Sequence, residues 1–298
     1  MAYHLYDMII RGENMATISL KLNKEQLKLL KELYQDDVSD AQHSLYISDV
    51  YHPYDCMITV YNSGKVVFQG KEADYHASPF MIVPSFFEHA GSDEVGTGDY
   101  YGPICVCACI VEKKHQTLLE QLEIRDSKAL KDEKIILIAP SLIKHLPHSL
   151  LILNNTKYNQ IQNDNNMNKI KAKMHNKAYL NLTLKYQLPK NIIIDQFTPK
   201  TNYYRYLEGE EQIIKGITFE TKAEDKYLAV GCASIIARYA FLRSMDKMDQ
   251  HYAWSFPKGA SDRVDENARE FIKKYGKDEL RKVAKLNFKN TTRVFEND

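Results

Sequence analysis

Apolar and polar residues alternate along Ala16-Thr17-Ile18-Ser19-Leu20-Lys21-Leu22, and this period of two predicts a half-buried strand from Met15 onward. Asn23 then stands where a helix N-cap is wanted, and Leu27, Leu29, Leu30 and Leu33 recur near helical spacing. Three strand-like stretches follow, at 43–50, 54–61 and 65–70, with Tyr61-Asn62-Ser63-Gly64-Lys65 as the hairpin turn between the last two. A strand, a helix and a small antiparallel sheet make a domain over 15–76. Residues 1–14 fit no period and are set apart as an extension. The segment 77–86, with Pro79 and Pro84, reads as a linker.

From Phe87 the pattern changes. Residues 103–112, built on the continuous apolar run Ile104 to Val111, read as a strand buried on both faces. An amphipathic stretch at 116–124 is followed by a polar loop, Arg125-Asp126-Ser127-Lys128-Ala129-Leu130, and a helix over 131–139. Strands are expected at 150–153, 191–197 and 213–221, and an exposed asparagine-rich loop at 163–168. A helix over 171–186 and a long apolar one marked by Leu228, Val230, Ile235, Ile236, Tyr239 and Leu242 fill the intervals. Strands alternating with helices indicate an α/β domain over 87–298.

The chemistry concentrates in Gly91-Ser92-Asp93-Glu94-Val95-Gly96-Thr97-Gly98-Asp99-Tyr100-Tyr101-Gly102-Pro103. Neighbours on an extended strand point to opposite sides, so Asp93 and Glu94 serve one site only near a strand end or bend. The glycines supply such a bend and let a phosphate approach bare backbone. The pair is either a divalent-metal site beside a phosphodiester or an acidic, solvated turn. Asp195 ends an apolar strand at the edge where α/β sheets present ligands, or simply caps that strand. Glu224 and Asp225 precede the long helix, where a carboxylate also complements the helix dipole. Four carboxylates brought together repel one another unless a hard cation such as Mg²⁺ or Mn²⁺ neutralises them.

Charge alters this picture little. The chain carries +1 overall, with −3 in 15–75, −1 in 1–14 and +5 in 76–298, so a basic footprint for a polyanion has to be local. Residues 269–298 hold nine Lys/Arg against five Asp/Glu, which suits a duplex path or an ordinary solvated face. Trp254, the only tryptophan, suits packing better than stacking on a sugar. No apolar run reaches membrane-spanning length, and 1–14 does not read as a signal peptide. The five cysteines lack Cys-x-x-Cys spacing, and Cys105, Cys107 and Cys109 share one strand face. They are expected to be core thiols of a cytoplasmic protein, neither a disulfide framework nor a zinc site.

Together, Gly91 to Pro103, Asp126-Ser127-Lys128, Ile192 to Phe197 and Lys222 to Arg238 resemble the type 2 ribonucleases H, and more closely the ribonuclease HIII group. Ser63-Gly64-Lys65-Val66-Val67-Phe68-Gln69-Gly70 in the first domain adds to that resemblance, which runs from Met15 onward. It implies a ribonuclease H-like mixed sheet flanked by helices, preceded by a small α+β domain similar to the TATA-binding-protein fold that helps hold the duplex. It also implies hydrolysis of the RNA strand of RNA–DNA hybrids by two Mg²⁺ or Mn²⁺ ions, leaving 5′-phosphate and 3′-hydroxyl ends. Carried over by position, the acidic quartet falls on Asp93, Glu94, Asp195 and Glu224, with Asp225 as a neighbouring candidate for the fourth place. Asp93 and Asp195 would be shared metal ligands, with Glu94 and Glu224 completing the shells or relaying protons. The Gly96-Thr97-Gly98 backbone would read ribose 2′-hydroxyls. Ser127, Lys128 and Lys258 would contact phosphates, with an ordinary solvated surface as the lesser alternative for the two lysines.

One position departs from the type HII pattern. A tyrosine that senses RNA-to-DNA junctions follows the Lys-Gly pair there, and this chain has Ala260. Weak cutting at single embedded ribonucleotides is expected. The rival function is a catalytically silent hybrid-binding module. No protein partner is implied, and a monomer is the default.

Overall fold

The computed structural model describes residues 16–39, 45–81, 86–124 and 130–296. The expected N-terminal extension, 1–14, lies outside them. The chain divides into two compact units, Met1–Ser85 and Phe86–Asp298.

The first unit runs β1 (Ala16–Lys21), α1 (Lys24–Leu33), β2 (Ile47–Tyr51), β3 (Cys56–Tyr61), β4 (Lys65–Gly70) and α2 (Ala73–Ala77). Its antiparallel sheet has the order β1-β4-β3-β2. Asn23 caps α1 reciprocally: its side chain accepts the Gln26 N–H at 2.9 Å, and the Gln26 side chain accepts the Asn23 N–H at 3.0 Å. The expected linker 77–86 is corrected at its start. Ala77 ends α2, and Phe80 sits in a short 3-10 turn, both buried in this unit's core with Ile58 and Phe68. Pro79 does not prevent the turn, because the first residues of a helical turn have no carbonyl to donate to.

The second unit runs β5 (His89–Val95), β6 (Ile104–Val111), α3 (Gln116–Gln121), α4 (Asp132–His145), β7 (His148–Leu153), α5 (Asn155–Ile161), α6 (Met167–Thr183), β8 (Asn191–Asp195), α7 (Lys200–Tyr206), β9 (Ile217–Glu220), α8 (Leu228–Tyr252), α9 (Asp262–Tyr275), α10 (Lys277–Val283) and α11 (Lys289–Phe295). The sheet order is β7-β6-β5-β8-β9. β5, β8 and β9 are parallel, while β6 runs against β5 and β7. This is the expected mixed sheet flanked by helices. Every residue of β6 is buried, because both faces are covered. Cys105, Cys107 and Cys109 face the layer of α4, α8 and α9, and Ile104, Val106 and Ala108 face the layer of α6 and α7. All five cysteines are buried free thiols.

α8 lies across the sheet beside Gly91. A Cβ at Gly91 would come within 2.3 Å of the Val230 backbone nitrogen, so only glycine permits this approach. By length and composition α8 could cross a membrane, yet 67% of its most apolar window is buried inside this unit. α4 runs on through Pro140 to His145, beyond the expected 131–139. The carbonyl that Pro140 leaves unpartnered belongs to the turn of Ile136, whose side chain is exposed, so water can serve it. α5, α7, α10 and α11 are too short for periodicity to reveal.

Candidate active site

Three strand ends assemble the site. The parallel register Ser92↔Ile194 sets Asp93 level with Asp195, and Asp195 pairs with Glu220 on β9. Gly96, with φ +92°, bends the chain directly after β5. A Cβ there would meet the Pro103 carbonyl oxygen at 2.2 Å, so this glycine makes the turn and is buried beneath it. Thr97 is half-buried and Gly98 exposed, with nothing within 4 Å of a Cβ added at Gly98.

Asp93 and Glu94 address opposite layers, as strand neighbours must. Asp93 faces α8, where the Ser234 hydroxyl partners it. Glu94 faces α6, where the Lys171 ammonium donates to Oε1 at 2.5 Å and the His175 Nε2–H donates to Oε2 at 2.8 Å. Ser92 Oγ sits 2.7 Å from His175 Nδ1, which fixes the ring at both nitrogens. Lys171 and His175 were not singled out in the sequence. The available signal was their i, i+4 spacing on the same buried side of a helix that also holds Ile170, Ala178 and Leu182.

Two neighbouring carboxyls therefore differ in character. Burial, and then the charges of Glu94 and Asp195, push Asp93 up to about 7. Burial acts the same way on Glu94, but His175 and Lys171 outweigh it and hold that carboxyl below its ordinary range. Asp195 Oδ1 accepts the Ala223 N–H at 2.8 Å. Ala223 opens the 3-10 turn Ala223–Asp225, which follows Lys222 in the left-handed region at φ 54°. Within that turn Glu224 is buried and Asp225 exposed.

Lys258 projects from the loop before α9 and pairs with Asp132, which also binds Arg238 Nη2 at 2.6 Å. Its neighbour Gly259 donates its N–H to Asp99 Oδ1 at 2.6 Å and accepts the Tyr100 N–H at 2.9 Å. These bonds fasten the Lys258 loop to the glycine-rich loop. Lys285, fully buried, tightens the same region by donating to the carbonyls of Asp99 at 2.8 Å and Gly102 at 2.6 Å. Ser127 and Lys128 lie outside the described residues.

In donor chemistry Asp93, Glu94, Asp195 and Glu224 fit a hard divalent cation, since they offer only carboxylate oxygen. Their spacing is looser: among the described residues no three His, Cys, Asp or Glu side chains are grouped closely enough to hold a metal ion.

Residues 90–291 match the family model described as Ribonuclease HII, and residues 17–84 match one described as a domain of unknown function. The ribonuclease HIII of Bacillus pumilus is 41% identical over 92% of this chain and 97% of its own. That of Bacillus licheniformis is 42% identical over 81% and 86%. The crystal structure of Bst-RNase HIII in complex with Mn²⁺ is 34% identical, covers 95% of this chain and 99% of its own, and superposes with a TM-score of 0.71.

Proposed function

The chain belongs to the ribonuclease HIII family, and on that premise we propose that it hydrolyses the RNA strand of RNA–DNA hybrids as a metal-dependent endonuclease, leaving 5′-phosphate and 3′-hydroxyl ends. The observation that carries this reading is Asp93. It stands level with Asp195 at the ends of parallel strands, and burial, followed by the like charges of Glu94 and Asp195, pushes it up to about 7. A protein gains from such repulsion only where a cation relieves it. Mn²⁺, present in the Bst-RNase HIII structure, or Mg²⁺ is the ion this oxygen-only donor set would take.

Asp93 and Asp195 would hold the metal, and Glu94 and Glu224 would complete the shells or relay protons. Two ions held there would supply an activated water and stabilisation of the departing 3′ oxygen. The glycine-rich loop offers the backbone of Thr97 and Gly98 to the ribose 2′-hydroxyl, the group that separates RNA from DNA, whereas Gly96, expected to join them, is buried beneath the turn. Lys258, joined to that loop through Gly259, contacts a phosphate and positions the duplex, as do Ser127 and Lys128. The small domain over 15–76 adds hold on the hybrid.

The test is cleavage of an end-labelled RNA–DNA hybrid with Mg²⁺, Mn²⁺ or EDTA, by wild type and Asp195→Asn. Metal-dependent cutting of the RNA strand alone, lost in the variant, is expected. Tight hybrid binding without cutting under either metal would replace this function with a silent binding module.

A further inference from the structure

Glu94 has a cation of its own. Lys171 Nζ lies 2.5 Å from Oε1, and both side chains are about nine-tenths buried, with relative exposures of 9% and 11%. His175, wholly buried, occupies Oε2 and is tied behind to Ser92. The two grips are unequal. His175 has no second place to go, since both ring nitrogens are bonded and the ring stacks on Phe197 at 5.3 Å between centroids. The Lys171 ammonium also sits 4.0 Å from the centroid of the Phe197 ring, a favourable seat for a cation with or without a carboxylate. A long, flexible lysine can therefore release Oε1 and still keep a partner.

We propose that Lys171 is a built-in counter-ion for Glu94, occupying Oε1 until a divalent cation displaces it onto the Phe197 face, so that this lysine sets how readily the site takes up metal. This rests on the metal-dependent reading of the site given above. His175 is the fixed brace that keeps Glu94 in place during the exchange. Lys171 acts only through Glu94 and is a positioning residue. Two cations cannot share one carboxylate oxygen at close range, because their mutual repulsion cancels what each gains from the anion. Removing the lysine's charge should therefore strengthen metal binding, whereas loss of a merely structural contact would weaken it or leave it unchanged.

The experiment is calorimetric titration of the full chain with Mn²⁺ in the absence of nucleic acid, using wild type, Lys171→Gln, Glu94→Gln and the double variant. Lys171→Gln keeps a hydrogen-bond donor but no charge, and should bind Mn²⁺ about tenfold more tightly. The Mn²⁺-induced rise in Tm should be larger than in wild type, which gives the same answer for a variant of low stability. In the Glu94→Gln background the lysine substitution should change nothing further. Weaker or unchanged Mn²⁺ binding by Lys171→Gln, or tightening that persists without Glu94, overturns the counter-ion role. Hybrid cleavage by the wild type is scored separately. Mn²⁺ binding that follows this pattern without cleavage would remove the nuclease function and support the counter-ion, whereas cleavage with a flat titration series would do the reverse.

Discussion

Asp195 Oδ1 accepts the backbone N–H of Ala223 at 2.8 Å, and this bond fastens the turn bearing Glu224 to the end of β8. A proposed metal ligand is thereby also a structural anchor for the next one. Asp195→Asn retains an acceptor oxygen and should fold with a near wild-type Tm. Asp195→Ala loses the bond and should lose about 1 kcal/mol of stability. Both should abolish hybrid cleavage, so thermal melts beside the cleavage assay separate the two roles.

Two glycines should respond oppositely to one added methyl group. At Gly91 the new Cβ meets the backbone of Ala229 and Val230, which no rotamer change can relieve, and Gly91→Ala should cost about 3 kcal/mol or more. Gly98 has open space around it, and Gly98→Ala should leave the melting curve nearly unchanged while raising KM for the hybrid. An unaltered KM would remove Gly98 from the substrate path.

Lys285 links stability to pH. Burial lowers its pKa to about 7, against the partly offsetting charge of Asp99 and the influence of Cys105. Its unfolded value is roughly 10.4, so between those limits the unfolded chain binds the extra proton and stability gains with rising pH. The cost of burying the charge is full below pH 7 and fades above it. Lys285→Met should lose the bonds to Asp99 and Gly102, and the wild type's advantage over it should widen from pH 7 to pH 10. Chemical denaturation across that range tests the sign.

Lys258 is half-exposed, and its pairing with Asp132 should contribute little to stability. Lys258→Met should leave Tm almost unchanged. If the lysine contacts a phosphate, hybrid binding should weaken and the salt dependence of log K should fall by about one contact. Identical salt slopes would leave Lys258 as a surface residue.

Ala260 is the position from which weak cutting at single embedded ribonucleotides is proposed. Its carbonyl accepts from Asn290 Nδ2 at 3.1 Å, and the half-buried residue packs on the second unit's core with a methyl side chain too short to stack on a sugar or base. Cutting within a run of ribonucleotides should therefore far exceed cutting at a single ribonucleotide in duplex DNA. Comparable rates on the two would contradict it.

The sequence by itself determined the elements whose pattern is local. β1 and the Asn23-capped α1 follow from alternation and an N-cap, and β6 from an uninterrupted apolar run. Asp93, Glu94 and Asp195 stood out as candidates because strand ends and glycines leave marks in the chain, whereas Glu224 was preferred to Asp225 only through the resemblance to a known family. Short helices such as α5 and α7 left none, since seven residues are held by their packing more than by their own periodicity. Tertiary structure alone settled which layer each of Asp93 and Glu94 meets, that Lys171 and His175 grip Glu94, and that Lys285, 186 positions from Asp99, binds the glycine-rich loop. Those relationships join residues far apart in the chain. Electrostatics depends on distance in space, which a one-dimensional pattern does not contain.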